Sequence, residues 1–291
     1  MSAPRVARTK AELRALLAAA RDHGLTVGLV PTMGSLHDGH LSLLRAARER
    51  CDVVVMSLFV NPAQFGEGED LDSYPSDEVR DLEVAGESGV DIVFAPEVDE
   101  VYPAGFATHV AVEGLADVLD GDPARRGATH FRGVTTVVAK LLNLVAPDVA
   151  FFGQKDAQQA IVVRRMARDL DFRSEIAVVP TVREPDGLAL SSRNSYLTPD
   201  ARKRASGLWL ALDAVRETAL GGASVDDAIA AGQRVLAEAG IEPEYLEARH
   251  ADDLTPAESF NGRPVLVAVA ARVGRARLID NVVVGDPAPT D

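Results

Sequence analysis

Cysteine is all but absent: Cys51 is the only one in 291 residues. No intrachain disulfide can form, which suits a reducing cytoplasmic setting. Basic side chains are in deficit, 30 against 44 acidic, so the formal charge is −14. A surface of that sign repels nucleic acid and anionic membranes, and neither is expected as a partner. No apolar run approaches the roughly 18 residues of a membrane span. The longest, "VVVMSLFV" at 53–60, has the length of a buried strand. The N-terminal "MSAPRVARTKAELRALLAAARDHG" carries charges through its apolar stretch, and reads as a first helix rather than a signal peptide. No internal repeat is visible. The rest is ordinary for a soluble globular chain, 47% apolar and 25% charged, and its length accommodates two cores.

The first two thirds alternate strand and helix. Strands are predicted at 26–30, 52–60, 91–95, 149–152 and 175–179, with helices at 41–50, 76–88, 133–146 and 156–170. This pattern predicts a mostly parallel sheet with helices on both faces. After about residue 182 the order changes. Two successive helices, 198–220 and 224–240, begin at the N-cap candidates Thr198 and Ser224. Three strand candidates follow at 244–250, 264–273 and 276–284, and the tail "GDPAPTD" reads as frayed. The expected architecture is α/β. A Rossmann-like doubly wound parallel sheet over residues 1–182 binds the ligands, and 183–291 form a smaller C-terminal α+β lid domain.

Histidine is scarce too, six in all, yet two stand three apart in "PTMGSLHDGH" at 31–40. That segment follows the first strand. "NPAQFG" (61–66), "GQKDAQQ" (153–159) and "PTVREPDGLALSSRN" (180–194) each follow a later strand. Loops at the carboxyl ends of parallel strands line one crevice, where ligands bind. Gly34 permits a sharp turn and Gly39 clears a helix start whose N–H groups favour an anion. His37 and His40 then fall on one helical turn and can reach the same anion. A zinc site lacks an evident third ligand, and a purely structural role for the histidines is the plain alternative. Lys155 between Gly153 and Asp156 suits a phosphate, as do the hydroxyls and guanidinium of Ser191, Ser192 and Arg193. A solvated lysine and a serine-rich linker are the competing readings. Gln64 and Gln159 are neutral amides able to read hydroxyls or a carboxylate.

Together, "PTMGSLHDGHLSLL", "FVNPAQFG", "DLDSYP", "THFRGVTTVVAKLLN", "FFGQKDAQQ" and "VPTVREPDGLALSSRN" resemble the ordered motifs of the pantothenate synthetase family. "HDGH" also resembles the HxGH signature of a wider group of adenylyl transferases and class I aminoacyl-tRNA synthetases. The resemblance implies an AMP-forming pantoate–β-alanine ligase. It uses ATP with Mg2+ as substrate and no tightly bound organic cofactor. Pantoate and β-alanine are its other substrates, and the enzyme is a cytoplasmic homodimer. By motif, Met33, Gly34, Ser35, Leu36, His37, Asp38, Gly39 and His40 contact ATP, with His40 as proton donor and His37 and Lys155 catalytic beside it. Gly153, Gln154, Lys155 and Asp156 line the same site, as do Val182, Leu190, Ser191, Ser192 and Arg193. Gln64 and Gln159 hold pantoate, Gln64 also reaches β-alanine, and Asn61 is a further substrate-binding candidate. No metal ligands are assigned.

The chain departs from the family pattern at two positions. The family reads GEKD where this chain has Gln154, and a bulkier residue where it has Ala157. Shape alone predicts that Glu at 154 is tolerated. Other functions on the same motif are an adenylyl transferase for a nucleotide or sugar phosphate, a tRNA synthetase and a non-catalytic nucleotide sensor. The paired glutamines argue against the first, and the −14 charge against the second. Pyrophosphate exchange separates the third.

Overall fold

The computed structural model describes residues 3–66, 71 and 74–285. Asp70, Asp72 and Ser73 of the "DLDSYP" motif, and the tail beyond Gly285, lie outside the described residues. The chain forms two compact units. One takes the chain up to Gly153 with Gln158–Pro180; the other takes Gln154–Ala157 with the chain from Thr181 onward.

The first unit holds a parallel sheet of β1 (Arg5–Ala7), β2 (Val27–Thr32), β3 (Val53–Leu58), β4 (Ile92–Phe94), β5 (Val149–Gly153) and β6 (Glu175–Val179). Their spatial order is β1-β4-β3-β2-β5-β6. The helices are α1 (Lys10–Asp22), α2 (Asp38–Arg50), α3 (Glu78–Glu87), the single turn α4 (Val98–Val101), α5 (Ala128–Val145) and α6 (Ala157–Asp169). The inner strands β2, β3, β4 and β5 are mostly apolar and buried because both faces are covered. Alternate residues enter different cores. Val53, Val55, Ile92, Phe94, Ala150 and Phe152 pack with Leu13 of α1, Val138 of α5 and Met166 of α6. Val54, Met56, Val93 and Phe151 pack with Leu43 and Leu44 of α2 and Ala85 of α3. The Rossmann-like parallel sheet expected from the alternation is present.

The N-terminal segment is not one helix. Arg5–Ala7 first pair with Ile92–Phe94 as an edge strand. Three residues are too few to show a period, so the strand is invisible beside the apolar helix that follows. Thr9 then starts α1 through a reciprocal cap: its Oγ accepts from Glu12 N–H and the Glu12 carboxylate accepts from Thr9 N–H.

The second unit holds α7 (Pro199–Ala205), α8 (Gly207–Leu220), α9 (Val225–Glu238) and an antiparallel sheet of β7 (Pro243–His250), β8 (Val265–Val273) and β9 (Ala276–Val284), in that order. It is the smaller C-terminal α+β element expected. Thr198 and Ser224 cap α7 and α9 as read, accepting from Ala201 N–H and Asp227 N–H. The helix expected over 198–220 is interrupted at Ser206. There Gly207 comes so close to Ala239 that a Cβ would lie 2.7 Å from the alanine methyl.

Candidate active site

The parallel sheet opens where its strand order reverses. β2 and β5 pair only at Gly28↔Val149 and Leu29↔Ala150. Beyond that, β2 continues along β3 to Thr32↔Leu58, and β5 along β6 to Gly153↔Val179. The carboxyl ends of β2 and β5 are therefore no longer laddered to each other. A crevice at such a reversal is the usual ligand site of an open α/β sheet. "TMGSLHDGH" leaves β2 at this point.

The turn after β2 is built on Gly34 and Asp81. Gly34 has φ +90°, and a Cβ there would lie 2.8 Å from Asp81 Oδ2. Ser35 follows with φ +54°. Asp81 of α3, 2% exposed, accepts hydrogen bonds from Ser35 N–H and Leu36 N–H, both at 2.8 Å. These bonds offset the strain of two successive left-handed residues. Sequence reading missed Asp81, because within "DEVRDLE" it looks like one more acid on a solvated helix face.

His37 is the N-cap of α2, and its Nδ1 accepts from Gly39 N–H at 3.1 Å. His40, at the third helical position, accepts from His37 N–H through Nδ1 at 3.3 Å. The rings lie 4.1 Å apart, centroid to centroid. An amide N–H can only donate, so each Nδ1 is a lone pair and each neutral imidazole carries its proton on Nε2. Two of the backbone amides expected to meet an anion are thus taken by the imidazoles. The N–H of each ring is therefore at Nε2.

Asn61, 1% exposed, caps the short 3-10 turn Pro62–Gln64 that follows β3. Its Oδ1 accepts from Ala63 N–H at 3.3 Å and from the Tyr102 hydroxyl at 2.8 Å. Its Nδ2 donates to Gly133 C=O at 3.2 Å and to Gln64 Oε1 at 3.0 Å. Gln64 Nε2 is directed at Met33 Sδ, 3.1 Å away. Asn61 was expected to touch substrate, but both ends of its amide are engaged by protein groups. Burial pushes the Tyr102 phenol up to about 12, so its hydroxyl stays a donor. On α6, Gln158 is buried and spent on Asp120 N–H and the carbonyls of Leu115 and Val118. Gln159 sits half-exposed beside it.

Gly153 ends β5 in the first unit; the other predicted residues belong to the second unit, and both of their loops pack on β9. Gln154–Asp156 form a 3-10 turn in which Lys155 Nζ lies 3.4 Å from Asp156 Oδ1. Gln154 Nε2 donates to Asn281 Oδ1 at 2.8 Å, and Asn281 Nδ2 donates to the carbonyls of Gln154 and Lys155, both at 2.9 Å. Leu190 N–H donates to Val182 C=O at 3.0 Å, which closes a small hairpin and sets those two residues side by side. Ser191 Oγ then accepts from Arg193 N–H at 3.3 Å, leaving its O–H to be donated elsewhere. The neighbouring strand residue Asp280 binds Arg183 bidentately, at 2.6 and 3.0 Å. Burial pushes the Asp280 carboxyl up and the Arg183 guanidinium opposes that shift. Asp280 and Asn281 were also missed. "LIDN" inside an apolar strand signals only that two polar residues are buried, not what they hold.

Among the described residues, no group of three His, Cys, Asp or Glu side chains could hold a metal ion. A concavity of about 200 Å3 lined by Glu113, Asp117, Thr129 and Arg132 takes in none of the predicted site residues. Among the same residues, no helix is long and apolar enough to cross a membrane.

Comparison with known proteins finds similarity over nearly the whole chain. The family model for pantoate-beta-alanine ligase matches residues 5–283. A pantothenate synthetase of Moorella thermoacetica is 56% identical over 288 residues, covering 95% of this chain and 97% of that protein. The crystal structure of the Thermus thermophilus pantothenate synthetase matches with a TM-score of 0.91 at 50% identity, covering 97% of this chain and 100% of that one. The pantoate-beta-alanine ligase of Francisella tularensis, in complex with beta-gamma ATP and beta-alanine, matches at 0.78 and 30% identity, covering 97% of this chain and 98% of that one.

Proposed function

This chain belongs to the pantoate–β-alanine ligase family, and from that premise we propose how its residues divide the reaction. The enzyme condenses pantoate with β-alanine at the expense of ATP, forming pantothenate, AMP and pyrophosphate. In the first step a pantoate carboxylate oxygen bonds to the α-phosphorus, and the bond from that phosphorus to the pyrophosphate oxygen breaks. In the second, the free amine of β-alanine attacks the activated carbonyl. AMP leaves with the bonding electron pair, and the amine loses a proton.

The observation that carries this reading is the tautomer of the two histidines. With both Nδ1 atoms engaged by backbone N–H groups, His37 and His40 offer Nε2–H donors at the start of α2. Negative charge develops on the departing pyrophosphate, and preorganised donors stabilise it without reorganisation. His40 is the principal donor and His37 its partner. Gly39 keeps the helix start clear, and Met33 to Asp38 shape the turn around the nucleotide. Lys155 is the point charge for the phosphates. Gly153, Gln154 and Asp156 form its turn, and Val182, Leu190, Ser191, Ser192 and Arg193 supply the second loop along β9. Gln64 and Gln159 read pantoate, and Gln64 also meets β-alanine. Magnesium is brought in as the ATP complex. Mg2+ at nucleotide sites takes few protein ligands and several phosphate oxygens. The family further supports a homodimer, and the lone, buried Cys51 is compatible with a reducing cytoplasm.

ATP–pyrophosphate exchange tests the reading. With ATP, magnesium and pantoate alone, labelled pyrophosphate should enter ATP. Omitting pantoate should abolish the exchange, and β-alanine should not replace it. Exchange that strictly requires β-alanine would mean a concerted three-substrate reaction and would overturn the adenylate. ATP binding without exchange under any combination would leave a nucleotide sensor.

A further inference from the structure

The buried carboxamide of Asn61 is fixed in orientation by two groups that admit no alternative. Gly133 C=O can only accept, so Nδ2 faces it; Ala63 N–H can only donate, so Oδ1 faces that. The second hydrogen on Nδ2 then points at Gln64, and the Gln64 atom there must be the oxygen. Gln64 Nε2 is consequently the end turned away from Asn61, toward Met33. Two further contacts pin the same turn. His130 Nδ1 donates to Gln64 C=O at 2.7 Å. A Cβ at Gly133 would lie 2.1 Å from Ala63 C=O, so α5 meets the turn backbone to backbone. The strongest bond that Asn61 Oδ1 receives comes from Tyr102, at 2.8 Å against 3.3 Å from Ala63 N–H. Tyr102 is itself held by its ring, edge-on to Phe106 at 5.1 Å and tilted against Phe59 at 6.3 Å, with Lys140 Nζ 5.8 Å from its centroid.

We propose that Tyr102 is a positioning residue for pantoate: acting through Asn61, its hydroxyl holds Gln64 with the amide nitrogen presented, so that Gln64 serves the substrate as a hydrogen-bond donor. This rests on the reading that Gln64 binds pantoate and adds to it a polarity and a relay. A donor in that place selects an oxygen acceptor, either the pantoate carboxylate or a hydroxyl lone pair. Tyr102 touches neither substrate nor reacting atoms in this scheme. Its loss leaves a buried carbonyl oxygen with one long hydrogen bond, and the amide plane that aligns Gln64 slackens.

Tyr102→Phe removes the hydroxyl alone and keeps the aromatic packing, so the protein should fold. The expected result is a rise in KM for pantoate of about three- to tenfold, the worth of one ordinary hydrogen bond, with kcat and the KM for ATP within about twofold. A double-mutant cycle with Gln64→Ala separates relay from bulk effect. If Tyr102 acts through Gln64, adding Tyr102→Phe to Gln64→Ala should leave the pantoate KM where Gln64→Ala alone put it. Additive effects, or parallel changes in both KM values and kcat, would overturn the relay and leave Tyr102 a structural residue. A pantoate KM unmoved by Gln64→Ala would instead overturn the underlying assignment of Gln64.

Discussion

His37 and His40 do two jobs with one ring each. The Nδ1 atoms close the first turn of α2, and the Nε2 atoms are thereby committed to donate. His40→Ala should lower pantoate-dependent exchange by about 10²–10³, the usual cost of removing one preorganised donor. The melting temperature should move little, because the His37 amide it abandons is half-exposed and water can replace the imidazole. Retention of more than about a tenth of the wild-type rate would exclude His40 from the adenylation step, given that range. At this scale the candidate reactive groups are the ones the sequence singles out. Glycine, histidine, lysine and glutamine after strands have few other reasons to cluster. The supports were not legible. Asp81, Tyr102, Asp280 and Asn281 act on groups distant in sequence, and nothing in their own neighbourhoods sets them apart from core or surface residues of the same type. Gln158 and Gln159 show the same limit. Adjacent and chemically identical, they differ only in that α6 turns the first into the protein.

Strands and helices with a full apolar period declared themselves, as β3 did by its unbroken run. Two short elements did not, β1 with three residues and α4 with four, whereas the equally short β4 was marked by the apolar core of "DIVFA". β9 shows why an element's function lies outside its pattern. Its apolar face joins the core, while Asn281 ties the turn containing Lys155 to the strand. Shape alone favoured Glu as a harmless replacement for Gln154, but the hydrogen bonds are directional. Gln154 Nε2 donates to Asn281 Oδ1. A carboxylate there sets acceptor against acceptor. Asn281 can relieve this only by turning its amide, which withdraws Nδ2 from the Gln154 and Lys155 carbonyls. Gln154→Glu should therefore raise the KM for ATP by about three- to tenfold, the scale of one or two lost hydrogen bonds, and leave the pantoate KM unchanged. Steady-state kinetics on both substrates decides it. An ATP KM equal to wild type would show that the Asn281 link does not bear on Lys155.

Charge acts on the molecule as a whole. The −14 balance coexists with carboxylates that are individually well held. The Thr26 hydroxyl keeps Asp52 below the usual carboxylate range, and the Arg8, Arg165 and Arg202 guanidinium groups do the same for Glu78, Asp169 and Asp186. Burial alone would push Asp253 up, but hydrogen bonds from Thr255 and Arg263 outweigh it and hold the carboxyl at about 2. Each of these groups binds its proton less readily folded than unfolded. Each therefore adds stability above the unfolded value, near ~4, and that contribution is lost as pH falls through the folded value. The window runs from about 4 down to about 2, the Asp253 value. Both compact units carry such groups, Asp52 and Glu78 in the first, Asp186 and Asp253 in the second. Below the isoelectric point of about 4.9 the net charge also turns positive, and self-repulsion then works in the same direction. Thermal unfolding followed from pH 7 to pH 2.5 should give a melting temperature nearly level down to about pH 5 and falling steeply below about 4. A main loss between pH 7 and 5 would assign the acid sensitivity to histidine protonation instead, and the held carboxylates would not be what stabilises the fold against acid.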